Sequence, residues 1–210
     1  MAPISAPIFR SRPSLGPEQG LGLRRVAGVD EAGRGPLAGP VVAAAVVLGD
    51  KAPEGVDDSK KLSRKQRARL YDAIMATAEV GIGIAEAAEI DAVNILEASL
   101  AAMARAVTAL THPPQACLID GNRIPELAIP CHSLVRGDSL SVSVAAASIV
   151  AKVTRDRLMA ALAQRHPGYG WERNAGYGTA EHLAALVRLG PTAQHRRSFA
   201  PVARLCRAAP

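Results

Sequence analysis

The chain has 210 residues, 49% of them hydrophobic but only 3% aromatic, so it can build a core and must fill it with Ala, Val, Leu and Ile. Lys and Arg outnumber Asp and Glu 25 to 19, a net charge of +6 that is compatible with a polyanionic partner without requiring one. No run approaches the roughly 18 apolar residues of a membrane span. Three sparse cysteines with no Cys-x-x-Cys pair argue against a disulfide framework or a zinc site and fit a reducing cytoplasm.

Residues 1–22 carry Pro, Ser and arginines but no apolar core of a signal peptide, and are expected to be a disordered extension. Arg25 to Asp30 and Val41 to Leu48 read as strands, and the glycines between them suit an antiparallel pair. Ser63 is placed as the N-cap of a helix over Arg64 to Thr77. Val80 to Ala87 reads as a third strand, and apolar residues at helical spacing predict one long helix over Ile90 to Leu110. Ala116 to Ile119 is a short buried strand that delivers Asp120, and Ile129 to Val135 a fifth strand. Helices are expected over Val142 to Arg165 and Ala180 to Leu189. Strands that precede and then alternate with helices indicate an α/β fold with a mixed central sheet flanked by helices.

The stretch VAGVDEAGRGPLAGPVVAAAVVL sets two adjacent acids, Asp30 and Glu31, between two apolar runs. Burying an unpaired charge is expensive, so these acids need a purpose. Neighbouring strand residues face opposite sides, so the pair converges only if the strand breaks, which Ala32-Gly33 would permit. Asp120, in LIDGN, ends a central strand, where sites of open α/β sheets form. Asp138, in RGDSLSVS, precedes a helix and is read either as its local cap or as a further site acid. Clustered carboxylates without matching bases or thiolates suit Mg²⁺ or Mn²⁺, ions that in pairs drive in-line phosphoryl displacement.

GVDEAGRGPLAGPVVAAAV closely resembles the opening motif of ribonuclease HII, the type 2 ribonuclease H family. The resemblance continues through DSKKLS, EIDAVNILEASLAAM, LIDGN, GDSLSVSVAAASIVAKVTRDRLM, GYGTAEHLAAL and HRRSFAPV, and covers about Val26 to Val202. It implies a ribonuclease H-like catalytic domain over 23–165, completed by a small C-terminal helical segment over 166–210. It also implies endonucleolytic cleavage of the RNA strand of RNA–DNA hybrids and of single ribonucleotides embedded in duplex DNA. Carried over motif by motif, the family's metal-site carboxylates fall on Asp30, Glu31, Asp120 and Asp138. Its Gly-Arg-Gly falls on Gly33, Arg34 and Gly35, and its 2′-OH-sensing tyrosine on Tyr177.

Beside that resemblance, Gly33 and Gly35 lack Cβ and would let backbone approach a ribose, and Arg34 offers forked donors to phosphate. Tyr177, between glycines, is equally a packed loop aromatic. Lys60, Lys61, Arg64, Lys65, Arg67 and Arg69 form either a solvated helical face or a phosphate-contacting stripe, with Lys60 the favoured member. Ser148 and Lys152 are further candidate substrate contacts, each with a packing alternative. Arg196 and Arg197 bind nucleic acid or solvate the C-terminal segment; His182 is left unassigned.

Ala175 stands where family members often have a lysine, which removes one phosphate contact. RLCRAAP lacks the glutamine-plus-aromatics motif with which some relatives bind a sliding clamp, so no clamp partner is expected, and the chain is expected to act as a monomer. The rival readings are a hybrid-binding module without catalysis and another metal-dependent nuclease of the same fold, such as type 3 ribonuclease H.

Overall fold

The computed structural model describes residues 12–49 and 51–208. In chain order these form α1 (Gly16–Gly20), β1 (Val26–Ala32), β2 (Val41–Val47), α2 (Arg64–Thr77), β3 (Glu79–Ala85), α3 (Ala87–Val93) and α4 (Ile95–Thr108). Then come β4 (Ala116–Asp120), β5 (Cys131–Leu134), a 3-10 turn at Gly137–Ser139, α5 (Val142–Arg165), α6 (Trp171–Asn174), α7 (Ala180–Leu189) and α8 (Ala200–Ala208). The sheet order is β3-β2-β1-β4-β5. The first three strands pair antiparallel, whereas β1–β4 and β4–β5 are parallel, giving the mixed sheet expected. Among the described residues no helix is long and apolar enough to cross a membrane.

Helices cover both sides of the sheet. On one face Ala43, Ala45, Val29 and Ile119 pack against Ala98, Ala102 and Ala106 of α4. On the other, Ala44 and Val46 meet Leu70 and Ile74 of α2 and the Ala-rich stretch of α5. With few aromatics, layers are joined by close approach instead of bulk. A Cβ added to Gly81 or Gly83 of β3 would lie 2.0 Å from a carbonyl oxygen of α4, and one on Gly28 would lie 2.1 Å from the Ser143 backbone. Alanine at any of these positions would force sheet and helix apart.

Two local readings change. The expected single helix over Ile90 to Leu110 breaks at Asn94, whose φ is +75° and whose Oδ1 caps α4 by accepting from Leu96 N and Glu97 N at 2.9 and 3.1 Å. Asparagine tolerates positive φ better than most residues, so the apolar periodicity continues while the backbone turns. The extension over 1–22 begins outside the described residues, but from residue 12 on it is folded. Ser14 bridges to Ser141, and buried Glu18 in α1 accepts from the hydroxyls of Ser141 and Ser143 at 2.5 and 2.6 Å and from Ser143 N at 3.0 Å. The C-terminal helices form a third core, with Trp171, Leu186 and Val202 packed on Leu37, Ala38 and Met159. Helix α5 runs through both cores, so the segment after Arg165 is built onto the turn that follows β1.

Candidate active site

Strand pairing sets the first two carboxylates. β1 and β4 run parallel in register as far as Val29 opposite Ile119, so the next residues, Asp30 and Asp120, emerge side by side at the same end. Neighbouring strands lie roughly 4.8 Å apart, which makes these carboxylates near neighbours. The Gly137 N–H donates to Asp120 Oδ1 at 2.7 Å and thereby draws in the turn that carries Asp138. Asp138 does not cap α5; Ser141 does, its hydroxyl accepting from Val144 N at 3.2 Å. Asp138 is buried, and Lys60 Nζ lies 3.4 Å from its Oδ2.

Glu31 arrives differently from the expectation. β1 stays regular through Ala32 with no break at Asp30. Asp30 therefore shares the face of Gly28, against α5, while Glu31 shares the face of Val29, toward α4. The two acids straddle the end of the strand. Glu31 then lines a shallow cleft with Arg34, Ser99, Asp120, Asn122 and Arg123, of which Arg123 lies outside every motif read from the sequence.

The electrostatics tie the acids together. Burial pushes the Asp30 pKa well above its ordinary value, and the charges of Glu31, Asp120 and Asp138 push it further. Glu31 is raised by burial and by Asp120 against the opposing pull of Arg34, and Asp120 by burial and then by Asp138. Burial opposes the charge of Lys60, but Asp138, Asp58 and Asp30 raise its pKa above its ordinary 10.5. Among the described residues Lys60 and Arg34 are the cations paired with these four carboxylates, so fully ionised the cluster keeps an excess of negative charge. Among the described residues no three His, Cys, Asp or Glu side chains already stand at the spacing of a metal-ligand set. The four acids are neighbours that feel one another without that close convergence. The donor set itself, carboxylate oxygens with no thiolate or imidazole among them, fits a hard divalent cation.

The Gly33-Arg34-Gly35 turn is fixed from behind by two arginines. Arg196, fully buried, donates to the carbonyls of Gly33, Arg34 and Gly39 at 2.6, 2.9 and 3.0 Å. Arg155, also buried, donates to Ala38, Pro40 and Ala175. With six carbonyls and no carboxylate in contact, burial lowers the Arg155 pKa to about 10 and the Arg196 pKa to about 9. Gly33 has φ +102°, and a Cβ there would lie 2.0 Å from Arg155 Nε, so its missing side chain makes room for Arg155. Gly35 is the open position: a Cβ there would sit 3.5 Å from the Tyr177 ring, which is itself 46% exposed. Turn and tyrosine are thus brought together. Arg196 is neither of the two things its sequence suggested, since it contacts the turn and not solvent.

The remaining candidates separate. Lys60 is exposed beside the acids. Ser148 is buried and spends its hydroxyl internally, donating to Ala145 O at 2.9 Å and accepting from Ser59 N at 3.4 Å. It therefore supports the loop that carries Lys60, which favours the packing alternative of its reading. Lys152 pairs with Asp156 at 2.7 Å on α5. Arg67 leaves the basic stripe, donating to Ser59 O and Leu62 O at 2.9 and 2.6 Å. A cavity of about 390 Å³ between α2 and residues 51–54 is larger than the cleft but touches none of the four carboxylates.

Residues 27–202 match the family model for ribonuclease HII. Ribonuclease HII of Ruegeria pomeroyi is 63% identical over 180 residues, covering 85% of this chain and 77% of that one. That of Rhodospirillum rubrum is 61% identical over 197 residues, 90% of each. The solved ribonuclease H2 of Pyrococcus horikoshii OT3 superposes with a TM-score of 0.73 at 27% identity, covering 88% of this chain and 98% of that one. On a ribonuclease H-like fold, with its acids at the ends of β1 and β4, the chain belongs to the ribonuclease HII family of ribonuclease H endonucleases.

Proposed function

We propose that this chain cleaves the RNA strand of RNA–DNA hybrids and incises duplex DNA on the 5′ side of a single embedded ribonucleotide. On this reading it removes misincorporated ribonucleotides, acting as a monomer in the cytoplasm, where the free thiols of Cys117, Cys131 and Cys206 would persist. The observation that carries it is the parallel register that sets Asp30 beside Asp120, with Asp138 drawn in through Gly137.

Asp30, Glu31, Asp120 and Asp138 are the residues that would hold two Mg²⁺ or Mn²⁺ ions. Bound there, such ions supply activation of the attacking water and neutralisation of the leaving 3′-oxyanion. The water oxygen bonds to phosphorus, the bond from phosphorus to the upstream O3′ breaks, and the ends are a 3′-hydroxyl and a 5′-phosphate on the ribonucleotide. Lys60 offers a cation to the backbone phosphates beside Asp138. The turn Gly33-Arg34-Gly35 faces the ribose, Tyr177 packs on the adjoining sugar, and the 2′-OH is the group read there. Lys152 is a further phosphate contact on this reading, for which its pairing with Asp156 would have to give way.

The test is a gel comparing an RNA–DNA hybrid, an all-DNA duplex and a duplex with one ribonucleotide, in Mg²⁺ and in Mn²⁺. The hybrid and the single-ribonucleotide duplex should be cut and the all-DNA duplex left whole. Cutting of all-DNA duplex, or no cutting with either ion, rules the reading out.

A further inference from the structure

Behind Tyr177 lies a buried cluster of rings, Tyr169, Trp171, His182 and His195, in which the two histidines are 0% and 1% exposed. Their hydrogen bonds admit one arrangement of protons. The Thr192 N–H can only donate and lies 2.9 Å from His195 Nδ1, so Nδ1 accepts and the proton of the neutral ring sits on Nε2. His195 Nε2 is 3.1 Å from His182 Nε2, and the indole N–H of Trp171, a donor only, is 3.0 Å from that same atom. His182 Nε2 must therefore accept, which puts the His182 proton on Nδ1. Nδ1 is 2.9 Å from the carbonyl oxygen of Tyr177, which can only accept. A single polarity thus runs from the Thr192 amide through both rings to the Tyr177 peptide. Burial supports it by keeping the rings neutral, lowering the His182 pKa and, together with His182 and His166, the His195 pKa to about 4.

We propose that His182 is a positioning residue for Tyr177, its Nδ1–H anchoring the Tyr177 peptide and so aiming the exposed ring beside Gly35, with Trp171 and His195 selecting the tautomer that makes this possible. The proposal rests on the reading of Tyr177 as the residue that packs on the sugar. The neighbouring peptides are held separately: Leu37 N donates to Gly176 O at 2.8 Å, Arg155 donates to Ala175 O at 3.0 Å and Tyr177 N donates to Asn174 O at 2.9 Å, while Thr179 N shares the Tyr177 carbonyl at 2.8 Å. At the Tyr177 carbonyl, the bond from His182 is the one that comes from the buried ring cluster.

The experiment measures single-turnover incision of a single-ribonucleotide duplex, together with Mn²⁺ affinity, for wild type, Tyr177→Ala, His182→Ala, His182→Asn and the double variant Tyr177→Ala/His182→Ala. Loss of the anchoring bond should slow His182→Ala roughly 10-fold while leaving Mn²⁺ affinity unchanged. His182→Asn, whose side-chain amide can donate from near the former Nδ1, should recover most of the rate. The double variant should be no slower than Tyr177→Ala alone, because His182 acts through Tyr177. Multiplying losses in the double variant, equal losses in incision and Mn²⁺ affinity, or wild-type incision by His182→Ala would overturn the proposal. If His182→Ala does not fold, Trp171→Phe keeps the ring and removes the donor; it should slow incision without weakening Mn²⁺ binding, and a wild-type rate overturns the proposal. Wild-type incision by Tyr177→Ala would instead remove the underlying role of Tyr177, a result distinct from each of the others.

Discussion

Asp120 and Asp138 come from different parts of the chain yet are linked through one peptide, because the N–H of Gly137 donates to Asp120 Oδ1 at 2.7 Å. The carboxylate that ends β4 therefore organises the turn leading into Asp138. Its structural role and the metal-holding role proposed for it can be separated.

Asp120→Asn keeps an acceptor oxygen for Gly137 and loses the charge. It should melt close to wild type and hydrolyse more slowly by more than about 100-fold, beyond the range seen when only outer-shell partners of a metal are removed. Asp120→Ala should lose activity as fully and also about 1–3 kcal/mol of stability, because the Gly137 N–H is left unpaired. Melting curves beside rates distinguish the two; equal melting of both variants would show that the Gly137 bond does not support the turn.

Crowded acids should also make the metal-free protein sensitive to pH. The Asp30 pKa is raised above its ordinary 3.8 in the folded state, so above that value the folded chain holds more protons than the unfolded chain. Stability in chelator should then fall as pH rises from about 4 toward neutrality, the reverse of a salt-bridged acid. Asp30→Asn should flatten that fall and melt a few degrees higher at pH 7 in chelator, at about 2–4 °C per kcal/mol for a chain of this size. Mn²⁺ should raise the wild-type Tm more than that of the variant. Calorimetry from pH 4 to 8 checks the sign, and a wild type that is indifferent to both pH and Mn²⁺ contradicts it.

Much of this was legible in the sequence, for reasons that particular residues show. The bounds of α5 and α7 follow from caps and periodicity, and the Ser63 capping box marks the start of α2, with Gln66 closing it at 2.8 Å. The four acids could be named from their motifs, but not the way they meet. The β1–β4 register that pairs Asp30 with Asp120 is a long-range choice between strands, to which local pattern is blind. Asn94 escaped because a cap set within an apolar repeat leaves the repeat intact. Arg196 and Arg155 escaped because arginine reads as surface, and only tertiary structure supplies six backbone carbonyls to satisfy two buried guanidinium groups. Glu18 escaped because its partners, Ser141 and Ser143, lie more than 120 residues away, separations of 123 and 125.

That contact makes the N-terminal segment a support for the site. Glu18→Ala leaves the hydroxyls of Ser141 and Ser143 without their acceptor at the start of α5, just after Asp138. It should cost about 1–3 kcal/mol, measured by chemical denaturation. Unchanged stability would mean that α1 rests on the fold without bracing it.

Lys60 faces both an acid and the open surface, so its role can be read from salt dependence. If it contacts a phosphate, Lys60→Ala should lower the slope of log affinity for hybrid against log salt by about one unit. Fluorescence anisotropy at several salt concentrations gives the slope. No change would confine Lys60 to its partner Asp138.

The most direct measurement maps the cut in a 5′-labelled duplex that carries one ribonucleotide, under single turnover with Mn²⁺, using wild type and Asp30→Asn. One product should appear, ending in a 3′-hydroxyl immediately 5′ of the ribonucleotide, absent in chelator and absent with the variant. A cut on the 3′ side, a cut in the same duplex made entirely of DNA, or a product that persists in chelator would contradict the account.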